Sequence, residues 1–364
     1  MSHLKFDKLN INGHELQGSE LKRFCDSKLK GQKIADWEIP IYQFLFEWLD
    51  EKEEIKVQTS GSTGQPKPIT LRKEHMINSA KATAKALNLK SDQTALLALS
   101  ANFIAGKMMI VRALVNRLKL IAVEPTGNPL KNLDAQIDFT ALVPLQLSNI
   151  LKSVKEVKKL KKIEKVLIGG GAISEPMVQD VASFPNHFYS SYGMTETCTH
   201  IALRKLNGAL PNIYYKTLPE VKVSIDQRSC LVIDAPNVCE TNLVTNDLAK
   251  LISETDFLIE GRYDNIINSG GIKISPEKIE QKLTPIIENH FLISAIPDES
   301  LGEKIILLIE EEETDLEKLF GLWKQLEAIL DPYETPKVID FLSSFSYTAS
   351  GKIDRKKTTK LFLT

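Results

Sequence analysis

The stretch Thr59-Ser60-Gly61-Ser62-Thr63-Gly64-Gln65-Pro66-Lys67 indicates the fold and chemistry of this chain more directly than any other segment. It contains four hydroxyl side chains, two glycines and one lysine. Glycines let the backbone turn tightly, so that several N–H groups can converge on an anion, while hydroxyls and lysine add further donors. The stretch therefore predicts a loop that binds a polyphosphate, with a polar surface turn as the alternative. Its spacing is not that of a Walker A motif.

The apolar residues around this loop predict strands that alternate with helices. Short apolar runs indicate buried strands at 94–99, 118–123, 139–143 and 163–168. Helical spacing predicts helices at 74–89, 106–115 and 145–157. Strands separated by single helices favour a mostly parallel sheet that is covered on both faces. Shorter strands between 206 and 258 indicate a small β subdomain, and the chain after Arg262 reads as a compact α+β region.

Composition is that of an ordinary globular protein. The 364 residues are 43% apolar and 26% charged, and the net charge of −1 argues against nucleic-acid binding by bulk electrostatics. The lysine-rich stretch at 155–165 is more typical of a solvated helix face than of a nucleic-acid or CoA-phosphate site. The four cysteines form no CxxC pair, which favours free thiols. We see no signal peptide and no apolar run long enough for membrane insertion, and we therefore expect a cytoplasmic protein.

Five short motifs follow one another in an order that resembles a known family. The loop at 59–67 resembles the phosphate loop of the adenylate-forming superfamily, which includes acyl- and aryl-CoA ligases, luciferases and peptide-synthetase adenylation domains. Further motifs of that superfamily match residues 192–197, 245–247, 261–280 and 350–355. The resemblance implies an α/β fold with a large N-terminal domain that includes the β subdomain (1–263) and a mobile α+β C-terminal domain (264–364).

The resemblance assigns residues to ATP and Mg²⁺. Thr195 would contact the α-phosphate, Glu196 would bind Mg²⁺, and Asp247 with Arg262 would bind the ribose, although Asn246 stands where the superfamily usually has glycine. The other phosphates would be held by Thr59, Ser60, Gly61, Ser62, Thr63, Gly64 and Lys67. The adenine would be framed by Gly169, Gly170, Gly171, Tyr192 and Gly193. The plainer alternatives are a surface carboxylate for Glu196 and a strand-to-helix turn for the three consecutive glycines.

The resemblance also implies two half-reactions. Lys352 would bridge the substrate carboxylate and the α-phosphate during adenylation, unless it is an ordinary loop lysine. The C-terminal domain of the family then rotates about a hinge at the position of Asp264. The loop with Gly270 and Gly271 would line a tunnel for the pantetheine of CoA. A carrier-protein phosphopantetheine would fit the same tunnel, so CoA is the predicted co-substrate and a carrier protein is the alternative.

The layout of the chain bears on the acid substrate. Only 58 residues precede the phosphate loop, fewer than in typical members, and we expect a reduced N-terminal subdomain. This abbreviated layout resembles the short o-succinylbenzoate–CoA ligases of menaquinone synthesis. The segment 99–112 resembles their acyl pocket, with Phe103 where many relatives have histidine. Arg112 or Lys107 could bind the second carboxylate of a dicarboxylic acid, and either could instead be a structural helix residue.

The leading hypothesis is therefore an ATP-dependent, AMP-forming acid–CoA ligase that acts on o-succinylbenzoate. A ligase for another aryl or short acyl acid, or an adenylation enzyme that loads a carrier protein, is an alternative within the same chemistry. A catalytically degenerate nucleotide-binding protein is an alternative of a different class, and the presence of Lys352, Glu196 and Asp247 argues against it. The sequence leaves the oligomeric state open, including a homodimer.

Overall fold

The computed structural model describes residues 3–31, 34–58, 67–312, 315–348 and 353–363. The predicted phosphate-loop residues from Thr59 to Gly64 and the predicted catalytic Lys352 lie outside this part of the chain. The chain forms two compact units. Unit 1 comprises Met1–Ile173, Met177–Val223 and Ile233–Leu243; unit 2 comprises Ser174–Pro176, Ser224–Val232 and Val244–Thr364. This division does not test the domain boundary after residue 263, which remains a prediction.

The first half of the chain alternates strands and helices, as the apolar pattern predicts. Its strands are β1 (Lys8–Ile11), β2 (His14–Gln17), β3 (Glu54–Gln58), β4 (Pro68–Arg72), β5 (Thr94–Leu97), β6 (Lys119–Ala122), β7 (Phe139–Leu142), β8 (Lys165–Ile168), β9 (His187–Gly193), β10 (His200–Lys205) and β11 (Tyr215–Thr217). Its helices are α1 (Gly18–Lys30), α2 (Ile39–Trp48), α3 (Lys73–Leu87), α4 (Ile104–Asn116), α5 (Pro144–Leu151), α6 (Val154–Leu160) and α7 (Glu175–Ala182).

Short strands and an α+β region follow. The remaining strands are β12 (Lys222–Ile225), β13 (Cys230–Asp234), β14 (Leu243–Leu251), β15 (Asp256–Arg262), β16 (Ile267–Ser269), β17 (Ile272–Ile274), β18 (Phe291–Asp298), β19 (Gly302–Glu310) and β20 (Val338–Leu342). The remaining helices are α8 (Pro276–Leu283), α9 (Leu316–Ile329) and α10 (Arg355–Phe362). No helix in the described ranges is both long enough and apolar enough to span a bilayer.

A parallel sheet in the order β6-β5-β7-β8-β9 forms the centre of unit 1. Successive residues of β5 enter different cores, because side chains alternate between the two faces of a strand. Ala95 and Leu97 pack into a core with α1 to α4, whereas Leu96 packs into a second core with α5 to α7. All residues of β7 and β8 are buried. The sheet is thus covered on both faces, and the predicted α/β class is confirmed.

Unit 2 contains an antiparallel hairpin of β14 and β15 and a separate five-stranded sheet. The sheet has the order β17-β16-β19-β18, and β20 runs parallel to β19. Ile293 and Leu307 of this sheet share a core with Ile279 of α8 and Leu326 of α9. The α+β character predicted for the end of the chain is therefore confirmed.

Two local predictions are corrected. The single helix expected at 145–157 is two helices, α5 and α6, because Ser153 adopts an extended conformation (φ −123°, ψ 118°) between them. The lysine-rich stretch is mostly solvated, as expected, but Lys165 is buried in β8 and pairs with Glu164 at 2.6 Å. An apolar spacing that continues through Ser153 cannot show where a helix is interrupted.

Candidate active site

The carboxyl ends of the parallel strands of unit 1 meet at one edge of the sheet, and two predicted site segments lie there. β8 is followed by the three glycines Gly169–171, and the neighbouring parallel strand β9 carries Ser191 and Tyr192 near its own end. A Cβ on Gly169 would lie 2.5 Å from the Ser191 Oγ, and the middle glycine has φ +78°. Parallel α/β sheets bind ligands at this edge. The predicted adenine-binding residues therefore lie at the same end of two neighbouring strands.

The segment after Tyr192 forms a tight turn that presents a carboxylate to solvent. Residues Thr195–Thr197 form a 3₁₀ helix, in which Glu196 is exposed between two buried threonines. Thr197 Oγ1 accepts from the Met194 N–H at 3.2 Å and donates to the Thr199 carbonyl at 2.6 Å. A Cβ on Gly193 would lie only 2.2 Å from that carbonyl, so the turn requires glycine there. The backbone around Glu196 is thus held on both sides.

Arg112 of α4 is a buried cation that reaches the end of this turn. Arg112 is 2% exposed, and none of the described residues forms a salt bridge with it. Nε donates to Thr83 Oγ1 at 3.3 Å, Nη2 donates to Thr199 Oγ1 at 2.9 Å, and Nη1 contacts Met109 Sδ at 3.5 Å. Burial lowers the pKa of Arg112 to about 10. A buried charge without an opposite charge is unfavourable, which makes Arg112 a candidate anion-binding group.

His200, the first residue of β10, connects the two threonines that hold Arg112. Its Nε2 lies 3.2 Å from Thr83 Oγ1, and its Nδ1 lies 2.9 Å from Thr199 Oγ1. The ring is buried, and burial together with the charge of Arg112 holds the pKa of His200 well below its usual value. Arg112, Thr83, His200 and Thr199 therefore form a closed set of hydrogen-bonded side chains, which we call the Arg112 ring.

The other two residues predicted for the acid pocket have different surroundings. Phe103 is half-buried and immediately precedes α4. Lys107 Nζ lies over the Phe44 ring of α2, 4.9 Å from its centroid, and burial lowers the pKa of Lys107. Lys107 thus faces α2, whereas Arg112 faces α3 and Thr199. These contacts favour Arg112 over Lys107 as the cation of an acid pocket.

A cavity of about 380 Å³ lies in unit 1 between α3 and the loops at 218–221 and 235–238. Its lining includes Ser79 and His200, together with apolar side chains such as Leu218 and Val238. Ser79 Oγ is buried and has no hydrogen-bond partner among the described residues. His200 therefore belongs both to the wall of this cavity and to the Arg112 ring.

In unit 2, the predicted ribose-binding residues form an ion pair across the β14–β15 hairpin. Asp247 and Arg262 are opposite each other in the strand register, and Arg262 Nη1 donates to Asp247 Oδ1 at 2.9 Å. The Asp247 N–H donates to Thr245 Oγ1 at 3.0 Å. Burial alone would lower the pKa of Arg262, but pairing with Asp247 and Asp264 outweighs it and the pKa is raised. The structure thus brings Asp247 and Arg262 together, and their role in binding the ribose remains a prediction.

Gly270 and Gly271 form the two-residue turn between β16 and β17, where Ser269 pairs with Ile272. Their φ angles are +60° and +83°. Two consecutive positive φ values are typical of a tight hairpin turn, which favours glycine at both positions. The turn alone explains both residues, and their role in a CoA tunnel remains a prediction.

The described residues fit a magnesium ion that arrives with a phosphorylated substrate. No group of three or more His, Cys, Asp or Glu side chains within the described ranges could hold a metal ion. Mg²⁺ commonly takes one or two carboxylates and completes its shell with phosphate oxygens and waters. The exposed Glu196 carboxylate meets that requirement. Lys67, the last residue of the predicted phosphate loop, is exposed directly before β4.

Comparison with known proteins identifies the family. A sequence profile described as "AMP-binding enzyme" matches residues 57–238, which is half of the chain. The chain belongs to the AMP-binding enzyme family. Among solved structures, this AMP-binding enzyme is 35% identical to an acyl-CoA synthetase (AMP-forming)/AMP-acid ligase II-like protein from Dyadobacter fermentans, with a TM-score of 0.62 over 93% of this chain and 98% of that chain.

Curated relatives of this AMP-binding enzyme carry a more specific name. The 2-succinylbenzoate–CoA ligase of Enterococcus faecalis is 25% identical over 330 residues, which cover 82% of this chain and 67% of that protein. The ligase of the same name from Staphylococcus aureus strain Newman is 26% identical and is covered over 65% of its length. The chain thus spans about two thirds of the length of these relatives.

The fold is shared with a solved o-succinylbenzoate CoA synthetase. The structure from Bacillus subtilis in complex with its acyl-adenylate intermediate has a TM-score of 0.75, at 17% identity, over 98% of this chain and 96% of that chain. This likeness confirms the predicted adenylate-forming fold. The chain is an adenylate-forming enzyme that is similar to o-succinylbenzoate–CoA ligases.

Sequence reasoning found Arg112 but missed the residues that hold it. Thr83 and Thr199 lie 29 and 87 residues away from Arg112, and no motif spacing connects them. The one available signal was His200, because a histidine that opens an apolar strand directly after the 192–197 motif needs a polar partner in the core.

Proposed function

We propose that this protein is an AMP-forming acid–CoA ligase that acts on o-succinylbenzoate. A carboxylate oxygen of the acid attacks the α-phosphorus of ATP, and pyrophosphate leaves. The thiol of CoA then attacks the acyl carbon, a thioester forms, and AMP leaves with the oxygen that the acid supplied. Adenylation is needed because a free carboxylate oxygen is a poor leaving group, whereas AMP is a good one.

The first half-reaction brings an anionic carboxylate to an anionic phosphate, so positioning and charge neutralisation dominate its catalysis. Thr195 and Lys352 would bind at the α-phosphate, and Lys352 would also bind the attacking carboxylate. Asp247 would accept hydrogen bonds from the ribose hydroxyls while Arg262 holds its carboxylate in place at 2.9 Å. A Mg²⁺ ion held at Glu196 would supply positive charge to the phosphates.

In the second half-reaction the adenylate must meet a thiol at the same carbonyl carbon. We propose that residues 264–364 rotate about Asp264, so that the Gly270–Gly271 turn replaces Lys352 beside the acyl group. The turn exposes main-chain groups without side chains, which suits the narrow approach of a pantetheine arm.

One observation carries the choice of acid: Arg112 is a buried cation without an acidic partner among the described residues. The ring carboxylate of o-succinylbenzoate would supply the missing opposite charge, while the chain carboxylate is activated. Acids with a single carboxylate would leave Arg112 unpaired. The names of the curated relatives point to the same substrate.

The test is AMP release with ATP, Mg²⁺ and CoA across a panel of acids. The panel contains o-succinylbenzoate, 3-benzoylpropionate (the same acid without the ring carboxylate), benzoate and short fatty acids. We expect CoA-dependent turnover that is fastest with o-succinylbenzoate. Faster turnover of another acid would contradict the proposed substrate but not the proposed reaction. Acid-dependent ATP–pyrophosphate exchange without AMP release when CoA is added would indicate a carrier protein as the acceptor. No acid-dependent reaction at all would contradict the ligase activity.

A further inference from the structure

We propose that His200 is a positioning residue for Arg112: a neutral imidazole with its proton on Nε2 donates to Thr83 and accepts the hydrogen of Thr199. Both threonine oxygens then keep a lone pair for the guanidinium and hold it toward a second carboxylate of the acid. The inference rests on the proposed function for its substrate, and on the described contacts for the geometry of the Arg112 ring. No motif of the sequence suggests a role for His200.

The hydroxyl of Thr83 decides which nitrogen of His200 carries the proton. Thr83 Oγ1 donates its single hydrogen to the Ser79 carbonyl, at 2.9 Å, as threonines in helices commonly do four residues back. The same oxygen accepts from Arg112 Nε at 3.3 Å. With its hydrogen already used, it can only accept from His200 Nε2 at 3.2 Å. His200 must therefore carry a hydrogen on Nε2.

The hydroxyl of Thr199 then decides the charge of His200. Thr199 Oγ1 accepts from Arg112 Nη2 at 2.9 Å and from the main-chain N–H of His200. Two accepted bonds leave its own hydrogen to donate, and His200 Nδ1 lies 2.9 Å away. Nδ1 can accept that hydrogen only if it is unprotonated, so His200 is neutral. A protonated ring would also place a second positive charge beside a buried guanidinium.

The consequence falls on Arg112. Its Nε and Nη2 are each bound to a threonine oxygen, which fixes the plane and rotation of the guanidinium. Nη1 and Nη2 each keep one further hydrogen, since among the described residues Nη1 contacts Met109 Sδ at 3.5 Å and Nη2 binds Thr199 Oγ1 at 2.9 Å. A neighbouring pair of guanidinium N–H groups is the arrangement that binds a carboxylate through two hydrogen bonds. Without His200, the hydroxyl of Thr199 would lose the acceptor for its hydrogen and could turn that hydrogen toward Arg112, which would release Nη2.

A purely structural role makes a different prediction. A polar network that only stabilises the core would affect every substrate equally when it is broken, whereas a positioning role affects only acids with the second carboxylate. Interactions made equally in the bound substrate and the transition state change KM and leave kcat unchanged. The role of the Arg112 ring is therefore tested by whether KM or kcat changes in a variant, and by whether that change depends on the acid.

The first measurement needs no substrate. In protein labelled with ¹⁵N-histidine, the ring signals of His200 are identified by their loss in His200→Gln, and two-bond ¹H–¹⁵N correlations report the tautomer at neutral pH. We expect a neutral ring with its hydrogen on Nε2. A hydrogen on Nδ1, or a ring protonated at both nitrogens, would overturn the proposed arrangement.

The second measurement uses a matched pair at Thr83, which is fully buried. Thr83→Val removes the hydroxyl at nearly constant shape, and Thr83→Ser keeps it. For Thr83→Val we expect KM for o-succinylbenzoate to rise about 10-fold with kcat within about 2-fold of wild type, as for loss of a uniform binding interaction. Thr83→Ser should stay within about 3-fold of wild type in KM. With 3-benzoylpropionate, which lacks the second carboxylate, both variants should match wild type.

The outcomes separate this inference from the proposed function. If wild type prefers another acid, the substrate is wrong and the tautomer measurement still decides whether His200 holds the ring as described. If wild type uses o-succinylbenzoate but Thr83→Val raises KM by the same factor for 3-benzoylpropionate, the Arg112 ring has only a structural role and the positioning role is refuted. If Thr83→Val does not fold, Thr83→Ser and the wild-type tautomer remain as tests.

Discussion

The side-chain amide of Asn246 donates to both carboxylate oxygens of Asp264, at 3.2 Å and 3.0 Å. The side-chain oxygen of Asn246, Oδ1, in turn accepts from Arg228 Nη1 at 3.0 Å. Asp264 is the predicted hinge residue, and Asn246 stands where the superfamily usually has glycine. A glycine has no side chain to make these bonds. In this chain the predicted hinge residue is therefore tethered to β14 by two additional hydrogen bonds.

Asn246→Gly should release that tether. Hydrogen bonds near the surface contribute little net free energy, so we expect the thioester-forming step to accelerate by only about 2- to 5-fold while adenylation stays unchanged. Rapid-quench measurement of adenylate formation and of its reaction with CoA separates the two steps. Asn246→Asp is the matched comparison, because it keeps the shape but places a carboxylate opposite Asp264. Equal changes in both steps would contradict a hinge effect.

Lys352→Ala should strongly impair formation of the acyl-adenylate and leave its conversion to thioester nearly intact. Loss of a positioned charge at a reacting phosphate costs on the order of 100-fold or more in rate. The measurement compares pyrophosphate release from ATP with thioester formation from chemically supplied acyl-adenylate. Lys356→Ala, an exposed lysine on α10, is the control and should be neutral in both assays. A comparable loss in the two half-reactions would refute the assigned role.

Asp247→Asn should weaken the use of ATP. The change removes the charge that Arg262 binds at 2.9 Å and replaces one acceptor oxygen of the predicted ribose site with a donor. We expect KM for ATP to rise by about 10-fold or more, since a charged hydrogen bond contributes about 1.5–3 kcal/mol. Steady-state AMP release at varied ATP provides the measurement. Glu254→Gln, on the exposed turn of the same hairpin, should leave KM for ATP unchanged.

Lys73→Met should destabilise unit 1 without touching the site. Lys73 is 1% exposed, and its Nζ donates to Asp50 Oδ1 at 2.8 Å and to the carbonyls of Glu47 and Trp48 at the end of α2. Removing the Lys73 ammonium leaves these acceptors without their donor, and we expect a loss of about 3 kcal/mol in the free energy of unfolding. Urea titration measures the change. Lys85→Met, exposed on the same helix, should alter it by less than about 0.5 kcal/mol.

Local patterns in the sequence predicted most elements of the fold but not their interruptions. A continuous apolar run predicted the strand at Thr94–Leu97, and helical spacing of apolar residues predicted the helix at Lys73–Leu87, because both patterns reflect which faces are buried. The break at Ser153 was not, because apolar spacing continues across it. The helix after the break is held by Lys159, whose Nζ binds the carbonyls of Leu130 and Lys131 from a distant loop.

Asp247 and Arg262, and the turn at Gly270–Gly271, were accessible from the chain alone because each lies within one hairpin, where short-range geometry decides which residues meet. The Arg112 ring was not accessible in that way. Its members come from α3, α4, β10 and the residue directly before β10, and they meet only because those elements pack together. Burial without an acidic partner is a property of the packed interior, since desolvation depends on every surrounding side chain. The tertiary structure alone therefore decided that Arg112 is a cation in need of an anion.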